Sequence, residues 1–97
     1  MIKITIKKDE IVISGHSGYE EIGKDIVCSA VSSTVLTTVN AILSFDEYAI
    51  RVHEREDFII RIVKETEIVI KLIDNMIKML PELEKDYNKY IKIIREG

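Results

Sequence analysis

The 97-residue chain has one cysteine, one proline and only four glycines. A lone cysteine excludes an intramolecular disulfide framework and fits a reducing compartment. Scarce proline and glycine, beside 46% hydrophobic and 32% charged residues, exclude a disordered linker or a fibrous repeat. No uninterrupted apolar run approaches the roughly 20 residues that span a bilayer. Met1 leads directly into the alternating Ile2-Lys3-Ile4 rather than into a signal-peptide core, so a cytoplasmic protein without a membrane partner is expected. Positive charge is not in excess either. Fourteen Lys and Arg against 17 Asp and Glu give a net charge of -3 at pH 7, a field that disfavours nucleic acid. Lys3, Lys7, Lys8 and Lys64 have no interleaved aromatic platform for RNA and read as solvated strand edges. Two halves this short would each struggle to bury a core, so residues 1–97 are expected to form one domain.

What is present is periodicity. Ile2, Ile4 and Ile6 alternate with Lys3, Thr5 and Lys7, the pattern of a half-buried strand, and 8–10 connect it to a second strand over 11–14. Residues 15–24 hold Gly15, Gly18 and Gly23 without sustained periodicity and read as a pliable loop. From Asp25, a good N-cap, the residues Ile26, Ala30, Val31, Thr34, Val35, Thr38, Ala41 and Ile42 outline a helical stripe, with Ser44 past the far end. Strands are expected over 48–53 and 58–64, joined by a turn at 54–57. Val69, Ile73, Met76, Leu80, Leu83 and Tyr87 step by four and three and predict a second helix. Pro81 should kink it or start a second short helix, and Met76, Met79 and Leu80 form a cluster for which packing inside is favoured over contact with a dimer partner or peptide. Ile91 and Ile93 share one side of a terminal strand over 90–95. The order strand-strand-helix-strand-strand-helix-strand implies an α+β two-layer sandwich, with helices on one face of a mixed or antiparallel sheet.

One stretch carries chemistry. It places His16 after a strand and Cys28 near the start of a helix, where unpaired N–H groups and the helix field favour a thiolate. A small buried cysteine beside Val27 and Val31 is the plain structural alternative. An imidazole that titrates near neutral pH can take the thiol proton and later protonate a leaving amine. The amides of Gly15, Ser17, Gly18 and Gly23 can approach an oxyanion or simply close a turn. Ser32 lies one turn beyond Cys28 and can support it through a hydrogen bond or bond its own preceding turn. Cys28, His16 and Asp25 make a partial metal set with no fourth ligand, and strand alternation turns His53 outward beside Arg51. No metal and no cofactor are expected.

Gly15-His16, followed by Gly23-Lys24-Asp25-Ile26-Val27-Cys28-Ser29-Ala30-Val31-Ser32, resembles the signature of the ribosomal-processing cysteine proteases, and the element pattern is similar over nearly the whole chain. The resemblance implies a cysteine endopeptidase domain over 1–97 with Cys28 as nucleophile and His16 as catalytic histidine. Asp25 and Ser32 fall on recurrent motif positions. It further implies a homodimer, a mobile loop between His16 and Cys28, and a role in ribosome biogenesis. The implied substrate is the N-terminal extension of large-subunit ribosomal protein twenty-seven, with aromatic residues before the cut and a small one after it. Ser17 and Ser29 stand where alanine is common in that family. A noncatalytic assembly factor that binds a ribosomal-protein peptide is the competing reading.

Overall fold

The computed structural model describes residues 1–15, 22–54 and 56–96, with only the backbone of 22–25. Alternation in the first segments builds the centre of the sheet. β1 (Ile2–Ile6) and β2 (Glu10–Ser14) run antiparallel, with Ile4 opposite Ile13 and Ile6 opposite Ile11. These isoleucines all point to the buried face, because side chains two apart on a strand share a side. β3 (Ile50–Glu54) and β4 (Phe58–Ile62) form a second hairpin that joins β2 through β4. β5 (Ile91–Arg95) lies parallel to β1, so the sheet is mixed, in the order β3-β4-β2-β1-β5.

Two helices cover the isoleucine face and pack on each other: α1 (Ile22–Phe45) and α2 (Glu67–Asp86). The expected α+β order and two-layer arrangement are therefore present. In α2, Val69, Ile73, Met76 and Leu80 are all buried, as their spacing predicts. Thr66 caps this helix, its hydroxyl accepting the Val69 N–H at 3.4 Å. One helix runs from Glu67 through Pro81 to Asp86, so no second short helix starts there; the donation to the Ile77 carbonyl that Pro81 lacks is offset by burial of Leu80 and by the packing of Leu83 and Tyr87 beyond it. Met79 is exposed rather than internal, because it stands off the stripe that carries Met76 and Leu80.

The first helix also departs from its expected form. It starts at Ile22, not after Asp25, and its buried stripe is Val27, Val31, Val35, Thr38, Val39 and Ile42, while Ile26 faces outward. Burial of Thr38 carries no penalty, since its hydroxyl donates to the Thr34 carbonyl at 3.0 Å. The segment Ile26–Phe45 has no charged residue and is long and apolar enough by composition to cross a membrane. Its valines are instead core residues against the sheet.

Beyond α1 the chain turns at Asp46. Its carboxylate accepts the Tyr48 N–H at 2.9 Å and the Lys64 ammonium at 3.0 Å. Those two bonds, the backbone one first, hold the Asp46 carboxyl below its ordinary range. Tyr48 is thereby kept in an exposed turn, and β3 begins at Ile50 instead of 48. β4 likewise stops at Ile62, because the Val63 and Lys64 N–H groups both turn to the Ala49 carbonyl. At the opposite edge of the sheet, Glu84 on α2 reaches the Ile93 N–H of β5 at 2.7 Å, which occupies an edge donor that would otherwise await another strand.

Candidate active site

Cys28 is the seventh residue of α1, about a turn deeper than a helix capped by Asp25 would place it. Its own N–H therefore lies within the α-helical i→i−4 ladder, and the uncompensated N–H groups of the first turn are a turn away. The helix-field argument for a thiolate loses its premise, since that field fades within one turn. Asp25 is the fourth helical residue and so is not the N-cap.

What the fold supplies around Cys28 is a groove. Half-buried Cys28 packs against the hydrophobic core and lines a cleft of about 450 Å³, its open mouth included. One wall is α1, where Cys28, Ser32 and Leu36 recur every four residues, with Val31 and Val35 set deeper between them. The other wall is a single register row of the sheet. Ile13 on β2 pairs with Phe58 on β4, and Phe58 pairs with Glu54 on β3. The floor is apolar, and the acidic Glu54 stands at the edge-strand end.

The fold thus brings Cys28 and Ser32 to the same cleft, with Ser32 exposed on its helix wall. Gly15 sits at the end of β2, whose Ile13 lines that cleft. At φ +74° it adopts a left-handed conformation that disfavours any residue with a Cβ, and a Cβ there would meet the Met1 carbonyl oxygen. His16, Ser17 and Gly18 lie outside the described residues. Gly23 is a helical position of α1. His53 is exposed on the far face of the sheet beside Arg51, as alternation predicts. Among the described residues, no group of three or more His, Cys, Asp or Glu is placed to hold a metal.

Glu54 and Phe58, with Ile13 and Leu36, are cleft residues that sequence reasoning missed. Glu54 leads into the polar Arg55-Glu56-Asp57, which looks like a turn. Only its pairing with Phe58 makes it the last residue of a strand. The usable signal was the phase of Ile50, Val52 and Glu54, which places the carboxylate on the helix-facing side.

The family model described as cysteine protease Prp matches residues 1–92. The chain belongs to this family. The ribosomal processing cysteine protease Prp of Mycoplasma pneumoniae is 30% identical over 94 residues, which cover 94% of this chain and 91% of that protein. The Prp of Staphylococcus aureus strain Mu50 is 29% identical over 91 residues, covering 90% and 86%. A crystal structure of S. aureus Prp with a covalently linked product peptide superposes with a TM-score of 0.87 at 24% identity, covering 99% of this chain and all of that one. Another, of S. aureus Prp with a substrate peptide, gives 0.84 at 23% identity over 98% and 97%. At these identities the Prp structures share the fold. Membership of the Prp family supports cysteine-protease activity for this chain.

Proposed function

We propose that residues 1–97 act as one endopeptidase domain in which Cys28 is the nucleophile and His16 its proton acceptor. The observation that carries the reading is the position of Cys28 on the wall of an apolar cleft formed by α1 and the Ile13-Phe58-Glu54 row. A thiol there meets an extended peptide laid between helix and sheet.

The imidazole of His16 takes the Cys28 proton, and sulfur attacks the scissile carbonyl carbon. Backbone amides of the 15–18 segment hold the resulting oxyanion, with Gly23 as the further candidate. The tetrahedral intermediate expels the amine, which leaves with the proton carried on His16, and a thioester remains on Cys28. Water then gives its proton to His16 and adds to the thioester. Collapse releases the acid and restores the thiol. Asp25, at the i−3 position from Cys28, and Ser32, at i+4, serve as positioning residues. No cofactor or metal enters these steps.

The substrate is an N-terminal extension of a large-subunit ribosomal protein, that of protein twenty-seven. The named activity of the relatives and the apolar lining of Phe58, Ile13 and Val35, which suits aromatic side chains before the cut, support this reading. The working form is a cytoplasmic homodimer engaged in ribosome biogenesis. A peptide spanning the extension, with an aromatic pair followed by a small residue, is incubated with native protein, Cys28→Ala and Cys28→Ser. Native protein cuts it after the aromatic pair, and both variants bind it intact. Cleavage by purified Cys28→Ala at the native rate overturns the assignment and leaves a cysteine-independent activity. Binding without cleavage by native protein identifies a peptide-binding assembly factor instead.

A further inference from the structure

We propose that Glu54 makes this cleft selective for a peptide carrying a basic side chain beside the residue that enters the apolar floor. The inference rests on the peptide-cleaving role given above and adds a specificity residue to it.

Among the described residues of the cleft, Glu54 alone carries a formal charge. It projects on the helix-facing side of β3, in register with Phe58, at the outer end of the row Ile13-Phe58-Glu54. The basic residues Arg51 and His53 on the same strand do not face it, because alternation sends both to the other side of the sheet. The ion pairs among the described residues, Arg61 with Glu10, Lys64 with Asp46 and Lys71 with Glu67, leave Glu54 out. A peptide whose apolar side chain rests on Phe58 and Ile13 therefore has, toward the β3 edge, a carboxylate that forms no ion pair among the described residues. A lysine or arginine there gains a charge-assisted hydrogen bond, whereas an acidic residue meets repulsion. The cleft is open, so the gain is that of a partly screened pair, about two- to fivefold in the specificity constant.

The test uses a set of peptides with the same aromatic-aromatic-small core and one Lys, Gln or Glu placed in turn at each of the flanking positions. For native protein and Glu54→Gln, kcat/KM is measured for each peptide, and unfolding curves confirm that both are folded. At one flanking position native protein prefers Lys over Gln by about two- to fivefold and disfavours Glu. The Lys-to-Gln ratio falls to about one in Glu54→Gln and inverts toward Glu in Glu54→Lys. The native preference also shrinks when salt is raised from about 0.05 to 0.5 M. A native ratio near one at every position, or a preference that survives in Glu54→Gln, overturns the proposal. The same peptides are titrated by fluorescence anisotropy onto Cys28→Ala with and without Glu54→Gln. Selectivity that depends on Glu54 in this binding series upholds the inference even where cleavage proves independent of Cys28, so the two readings fail separately.

Discussion

Replacing Gly15 by alanine tests how the end of β2 is held ahead of His16. The φ of +74° places Gly15 in a region where a Cβ costs about 1–2 kcal/mol. The added carbon also meets the Met1 carbonyl, a backbone group at the start of β1 that is not free to swing aside. Forcing an atom into such contact adds about 1–3 kcal/mol. The sum, about 2–5 kcal/mol, is a large part of the stability of a chain this size. With a urea slope of about 1 kcal/mol/M, the unfolding midpoint followed by circular dichroism should fall by about 2 M or more. Gly15→Asn separates the two causes, because asparagine tolerates the left-handed conformation yet still brings a Cβ. It should recover part of the loss and not all of it. A midpoint for Gly15→Ala within about 0.5 M of native would refute the reasoning, and full recovery by Gly15→Asn would remove the contact with Met1 from it.

Other outcomes follow from the packing and the sheet edge. Leu80 is fully buried beside Pro81, so Leu80→Ala should cost about 3 kcal/mol or more in the same unfolding assay, and a cost below about 1 would mean that the last turns of α2 are not anchored there. Glu84→Ala leaves the Ile93 N–H without its carboxylate acceptor and should cost about 1.5 kcal/mol, with Glu84→Gln recovering much of it; equal losses in the two would show that charge rather than the hydrogen bond matters. The Asp46 carboxyl titrates below its ordinary value of 3.8 when folded, so its stabilising contribution is complete above that value and is lost as pH falls through the lower folded one. Unfolding midpoints taken at about pH 5.5 and pH 3 should therefore drop further in native protein than in Asp46→Asn, and parallel drops would contradict the role given to Tyr48 and Lys64.

Local pattern carried much of the architecture. The alternation of Ile2, Ile4 and Ile6 named the interior strand β1, and the four-three stepping from Val69 to Leu80 named α2, because one repeat matches each element's geometry. The start of α1 was hidden. Gly23 is a poor helix former and Asp25 a good cap, so propensity favoured a later beginning than the one the fold adopts at Ile22. Strand order was not legible either, since the parallel pairing of β1 with β5 joins segments nearly a whole chain apart and leaves no mark on either. Cys28 and Ser32 were readable as neighbours because four residues make a helical turn. Glu54 was not, because its position depends on a partner strand.

The most direct measurement is the mass of the protein itself in a reaction quenched by acid during turnover. Native protein with the ribosomal-protein peptide should carry the N-terminal peptide fragment as a thioester on Cys28, and His16→Ala should accumulate it far more slowly. Rapid cleavage without any adduct on Cys28, or equal turnover by Cys28→Ala, would contradict the account.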